Sequence, residues 1–238
     1  MNTVHIVHLY PKEMNIYGDN GNILVLKKRL EWRGFSVSIH KVGVGDALPD
    51  TVHLVLGGGG QDQGQSIIAT DLQDKAGRLH ELAKTGVPML MICGMYQMFG
   101  HYFKTATGEK IPGIGIIDIH TVAGSGRLIG NVVEKTEQWG ELVGYENHSG
   151  LTDLGVHASN LGLVPKLQGN NGLDTTEGAI QNNVFGSYLH GPMLAKSPVF
   201  ADYLLAQALQ KAGINTDLAP LDDALEFRSA RVAKSRQR

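Results

Sequence analysis

The chain has 238 residues, of which 42% are hydrophobic and 18% charged, with a formal net charge of -2 at pH 7. That balance supports a sizeable core in one large domain or two small ones, and, the basic tail at 228–238 apart, its charge points to neither nucleic acid nor an anionic membrane as a partner. The single cysteine excludes a disulfide within the chain and a multi-cysteine zinc site, and it fits a reducing cytosol.

The opening MNTVHIVHLYPKEM has no basic n-region and no long apolar core, so it is not read as a signal peptide. No apolar run approaches the roughly 20 residues of a membrane helix, so work at a membrane is expected to be peripheral or through a partner. TVHIVHL (3–9) alternates and carries β-branched residues, which predicts a strand. Over 20–33, Ile23, Leu26 and Leu30 recur at helical spacing, with Lys27, Lys28 and Arg29 between them as a polar face and Gly34 as the stop. Strands are predicted at 35–42 and 52–58, a helix at 66–85 ended by Gly86, and a short buried strand at 87–93. This strand–helix–strand rhythm argues for a mostly parallel sheet flanked by helices.

The second half is β-rich. Segments 113–122, 126–135 and 141–148 read as strands separated by glycines, and 178–191 as paired strands. A helix follows over 197–212, with Phe200, Leu204, Leu205, Ala208 and Leu209 on one face, and a last helix over 221–233. The basic tail, 228–238, reads as a solvated helix end or a frayed terminus. No internal repeat or long linker divides the chain, so one α/β domain over 1–238 is expected, with its C-terminal helix and tail at about 221–238.

Cys93 ends an apolar strand and precedes Gly94 and a short helical segment. A nucleophile at such a turn is presented at the carboxyl edge of the sheet. The helix N-terminus also favours the thiolate, which is the reactive form. Read alone, Cys93 is equally a small buried apolar residue. His190 follows the strand-like VFGSYL and precedes Gly191-Pro192, which places it at a strand end where a base could reach the same edge; an ordinary surface histidine fits the local sequence as well. Gly57 to Gly60 follow a buried strand and could aim N–H groups into an anion-binding nest, or form a plain turn. Gly124 to Gly130 misses the dinucleotide fingerprint by one residue and lacks a βαβ frame. Asp19-Asn20-Gly21-Asn22 reads as a turn or helix N-cap rather than a calcium loop.

Together, ICGMYQMFG (92–100), GYENHSG (144–150) and GSYLHGP (186–192) resemble the class I glutamine amidotransferases of the cobyric-acid-synthase type. LYPKEMNIYGDNGN (9–22), GGGGQDQGQ (57–65) and SGRLIGN (125–131) narrow the resemblance to the branch of glutaminase subunits that serve lipid II isoglutaminyl synthases. It extends from Leu9 to about Tyr203. It implies Cys93 as nucleophile, His190 as base and acid, Arg127 as the glutamine-binding residue, and Gly58 and Gly59 lining the oxyanion site. It also implies a separate Mur-ligase-like synthetase subunit of the MurT type. That subunit would hold ATP and magnesium and amidate the D-glutamate of the lipid II stem peptide, while this chain would carry no cofactor or metal. The expected location is cytoplasmic, with peripheral attachment to the inner membrane face through the partner and lipid II.

Three positions depart from the class I pattern. Met91 and Met95 stand where glycines usually flank the nucleophile, and Pro192 stands where a glutamate usually orients the imidazole. The third carboxylate must then come from elsewhere in the chain, from the partner, or not at all. Three other readings compete: a corrin-type amidotransferase, a non-catalytic partner-binding module of the same fold, and a nucleotide-binding oxidoreductase resting on the glycines at 124–130.

Overall fold

A computed structural model of the chain describes residues 3–236. In chain order, the first half holds β1 (Thr3–Leu9), α1 (Asn20–Trp32), β2 (Ser36–Val42), β3 (Leu54–Gly57), α2 (Asp62–Lys84), β4 (Met89–Ile92) and α3 (Gly94–Phe99). The second half holds β5 (Tyr102–Lys104), β6 (Lys110–Pro112), β7 (Ile119–Lys135), β8 (Glu141–Leu154), β9 (Gly162–Leu163), β10 (Thr176–Glu177), β11 (Ala179–Gln181), β12 (Val184–Ser187), α4 (Pro198–Lys211) and α5 (Ala224–Lys234).

The first sheet has the order β11-β12-β4-β3-β1-β2. Every pairing in it is parallel except β11 with β12, as the apolar runs predict. β3, β4 and β12 are buried at every position, as parallel strands covered on both faces must be. Because β3, β4 and β12 run the same way, the residues that follow them emerge at one edge: Gly58, Cys93 and the Tyr188-Leu189-His190 segment. Chain order reverses beside β1, and ligands of open α/β sheets bind at the carboxyl ends of strands near such a switch point.

The second sheet runs β10-β9-β7-β5-β6, with β8 on β7. Segments 113–122 and 126–135, expected as separate strands, contribute to one long strand, β7, whose register against β8 shifts only between Ala123 and Leu128. Gly124 and Gly126 lie in that irregularity instead of ending the strand, a common role for strand glycines. No strand-to-helix turn accompanies them, so the near-fingerprint at 124–130 has no dinucleotide frame. α2 begins at Asp62 rather than at 66, with Gln61 extended as its N-cap (ψ 168°).

Arg29 departs most from its expected place. It lies only 2% exposed, not on a polar face. Its Nε donates to Asp202 on α4 at 2.7 Å, and its Nη1 to Asp223, just before α5, at 2.5 Å. Arg33 joins Asp202 at 2.6 Å. A buried arginine tolerates burial only when carboxylates satisfy its fork, and removing one partner of such a cluster typically costs about 3–5 kcal/mol. The cluster ties α1 to both C-terminal helices. Within the basic tail, Arg228 and Arg231 belong to α5 and Lys234 pairs with Glu141; Gln237 and Arg238 lie outside the described residues.

Candidate active site

Cys93 occupies φ 49°, ψ -105° between β4 and α3. A positive φ is strained for any residue with a Cβ, and such strain persists where the surrounding structure holds a functional group in place. The backbone N–H of Cys93 donates to the Ser187 carbonyl at 2.8 Å, which fixes the turn against the end of β12. Met91 and Met95 are fully buried and fit because Gly57 on the neighbouring strand has no side chain. A Cβ at Gly57 would lie 2.8 Å from Met95 Cγ and 3.0 Å from Met91 Sδ. Space that class I elbows usually gain from glycines beside the cysteine is here supplied by a glycine on β3.

His190 is fully buried. Its backbone exchanges two hydrogen bonds with Tyr145 of β8, at 2.9 and 3.1 Å. Nδ1 donates to Asp19 Oδ2 at 2.8 Å, which leaves Nε2 as the nitrogen available for proton transfer; Nε2 has no hydrogen-bond partner among the described residues. Burial lowers the imidazole pKa, but the charge of Cys93 and the hydrogen bond to Asp19 outweigh it and push it up to about 10. The two side chains, far apart along the chain, are therefore close enough to couple electrostatically.

Asp19 is the carboxylate that the sequence left unplaced. It stands at the N-cap position of α1, yet its side chain makes no capping bond to the helix. It turns instead to His190 and to the backbone N–H of Gly59, which reaches the same Oδ2 at 2.7 Å. Local reading of the DNGN segment gives only a turn or cap, because its partner lies at the far end of the chain. Pro192 stands where class I enzymes usually carry the glutamate, and the carboxylate hydrogen-bonded to the imidazole here is Asp19.

The glycine loop needs correction in detail. The Gly59 N–H is engaged by Asp19 and cannot face an oxyanion. Gly59 instead allows the imidazole to approach, since a Cβ there would lie 2.3 Å from His190 Cε1. Neither Gly58 nor Gly59 lines the cavity beside Cys93; Gly60 does. A Cβ on Gly94 would sit 3.0 Å from the Gly60 nitrogen, so the two backbones are adjacent. Gly94 opens α3, and the first N–H groups of a helix have no intrahelical acceptor.

The cavity has a volume of about 330 Å³ and brings Cys93, Gly60, Tyr17, Arg127 and Asn147 together. Arg127 lies in the β7 irregularity at its wall. Its Nε and Nη2 donate to the side-chain and backbone oxygens of Asn147, both at 2.9 Å. Beneath the cavity, Gln65, Gln97, Tyr188, Thr152 and Thr121 form a buried chain of hydrogen bonds of 2.6–3.0 Å. A satisfied network of this kind rigidifies a site. No group of His, Cys, Asp and Glu side chains suited to a metal occurs among the described residues, and no helix among them is long and apolar enough to cross a membrane.

The raised imidazole pKa has a testable sign. A group whose folded pKa exceeds its unfolded value near 6.5 stabilises the fold fully below that value, and the stabilisation disappears as pH rises through about 10. Glu177, which burial pushes up to about 7 against a hydrogen bond from the Tyr188 N–H, acts in the same direction. Thermal melting measured across this range should show stability declining from the acid side of 7 and falling further as pH approaches 10. A melting temperature that rises over the same interval would contradict both assignments.

The sequence profile of the CobB/CobQ-like glutamine amidotransferase domain matches residues 5–198. A protein of Staphylococcus aureus (strain N315) called lipid II isoglutaminyl synthase (glutamine-hydrolyzing) subunit GatD is 34% identical over 235 residues, covering 98% of this chain and 95% of that protein. The protein of the same name from Streptococcus pneumoniae is 38% identical over 226 residues, covering 93% of this chain and 87% of its own. Among solved structures, a glutamine amidotransferase superposes with a TM-score of 0.58 at 16% identity, over 87% of this chain and 99% of its own, a likeness of fold.

Proposed function

Since the chain belongs to the CobB/CobQ-like glutamine amidotransferase family, we propose that it is, over its whole length, the glutamine-hydrolysing subunit of a lipid II isoglutaminyl synthase. The observation that carries the reading is the buried Asp19–His190 pair coupled to Cys93, whose side chain lines a cavity walled by Arg127. Glutamine's α-carboxylate docks on the guanidinium of Arg127. The Cys93 thiolate attacks the amide carbon, forming the C–S bond, while N–H groups of Gly60 and Gly94 receive the oxyanion. His190 Nε2–H protonates the amide nitrogen; the C–N bond breaks and ammonia leaves a glutamyl thioester. A water then gives its proton to Nε2 as its oxygen attacks the thioester, and glutamate departs with the sulfur restored to thiolate.

Ammonia is captured by a MurT-like, Mur-ligase-related synthetase that holds ATP and magnesium and amidates the D-glutamate of the lipid II stem peptide to D-isoglutamine. This chain needs no cofactor of its own. The pair works in the cytoplasm, held at the inner membrane face by the partner and its lipid-linked acceptor. The non-catalytic reading conflicts with a buried imidazole kept protonated beside the one thiol.

Two assays test this. A diazoketone analogue of glutamine should label Cys93 selectively, and L-glutamine should protect it. The chain with its synthetase subunit, ATP and a lipid II acceptor should convert glutamine to glutamate with one amide formed per glutamate. Absent labelling and absent glutamate release would exclude the glutaminase; glutamate release with no amidated acceptor would exclude the proposed partner reaction.

A further inference from the structure

Tyr17 sits in a 3-10 turn, Ile16–Gly18, at φ 55°. The turn is pinned at Ile16, whose N–H donates to the Gly59 carbonyl at 3.1 Å, and behind it by Asn20, whose N–H donates to Asn15 Oδ1 at 2.9 Å. A bulky residue at positive φ is uncommon and points to a side chain whose direction matters. The Tyr17 ring meets the His190 imidazole edge-on, with centroids 5.0 Å apart at 71°. Its hydroxyl accepts a hydrogen bond from Asn147 Nδ2 at 2.7 Å. The oxygen of that same amide accepts from Arg127 Nε at 2.9 Å.

From this arrangement we infer that Tyr17 is a positioning residue that serves both ends of the substrate. The inference rests on the glutaminase reading of the site. At one end, the ring packs edge-on against the imidazole and, with the Asp19 hydrogen bond at Nδ1, fixes the orientation of the ring. At the other end, the hydroxyl fixes which way the Asn147 amide points. With the hydroxyl accepting from Nδ2, the amide oxygen faces Arg127 and accepts from Nε while the Asn147 backbone carbonyl accepts from Nη2, leaving Nη1 for a carboxylate. Without it, Asn147 can turn its NH₂ toward the guanidinium, where donor meets donor and the Nε bond is lost, so that the guanidinium is held by the backbone carbonyl alone. One side chain thus connects the carboxylate clamp with the proton carrier.

The two contacts separate by mutation. Tyr17→Phe keeps the ring and removes the hydroxyl, whereas Tyr17→Ala removes both. Assays use the chain together with its synthetase subunit, and the rate of Cys93 alkylation by iodoacetamide, which needs no carboxylate clamp, is followed in parallel. Tyr17→Phe should raise KM for glutamine about threefold to tenfold with kcat within about twofold, and leave alkylation unchanged. Tyr17→Ala should in addition lower kcat about 10- to 100-fold and slow alkylation, and Phe at the same position restores both. A wild-type KM in Tyr17→Phe, or a loss in which kcat falls as much as kcat/KM, overturns the inference. A wild-type chain that neither hydrolyses glutamine nor takes the diazoketone label sinks the glutaminase reading and this inference with it; an active wild type with indifferent Tyr17 variants sinks this inference alone.

Discussion

Asp19→Asn should lower glutamine turnover by about 10²–10⁴-fold with little change in substrate affinity, the scale seen when a carboxylate behind a catalytic imidazole is made neutral. Oδ2 of Asp19 receives two donors, His190 Nδ1 at 2.8 Å and the Gly59 N–H at 2.7 Å. An asparagine oxygen can still accept one or both, but it brings no negative charge to the imidazolium. The hydrogen bond and charge of Asp19 are among the causes that lift His190 to about 10, so the alkaline limb of kcat/KM should move back toward the ordinary histidine range. Steady-state kinetics against pH read both effects. Turnover within tenfold of the parent would reduce Asp19 to a structural anchor for the loop.

Cys93→Ala should abolish glutamine hydrolysis while leaving the fold in place. Nothing else in the cavity supplies a nucleophile of comparable reactivity: its other walls are amides, hydroxyls, the apolar Ile16 and Phe103, the buried His148 and Arg127. The sulfur is buried in a turn whose position is set by the β4–β12 register and the Cys93 N–H bond to Ser187, none of which needs the thiol. The variant should melt within a few degrees of the parent, a change on the order of 1 kcal/mol or less. It should also lower the His190 pKa, because the charge of Cys93 is the largest cause that raises it; NMR titration of the imidazole reads that shift directly. Residual hydrolysis in purified Cys93→Ala protein would remove Cys93 from the mechanism.

How much of this was legible in the sequence varies with distance along the chain. The parallel sheet was legible, because short apolar runs and glycine stops report burial and strand ends locally. Cys93 and His190 were legible as candidates for the same reason, since both follow strands and precede chain breaks. Asp19 was not: a DNGN segment looks like a turn whether or not its carboxylate is needed elsewhere. Arg29 was placed on a polar face because helical spacing gives a direction but not what lies there, and Asp202 and Asp223 arrive from the other end of the chain. The methionines flanking Cys93 raised a doubt about the elbow that only the neighbouring strand resolves, through Gly57. Gly59 and Gly60 could not be ranked without knowing which N–H the Asp19 carboxylate captures.

The helix that begins with the carboxylate behind His190 is anchored near its other end by two acids from the last third of the chain. Clipping the polypeptide ahead of Asp223 would take away one of the two carboxylates that balance the buried Arg29 guanidinium and slacken that rod. The terminus is therefore no ornament: a protease nick or a fused cargo at the tail acts, through the stretch of helix between Arg29 and Asp19, on the geometry of proton transfer.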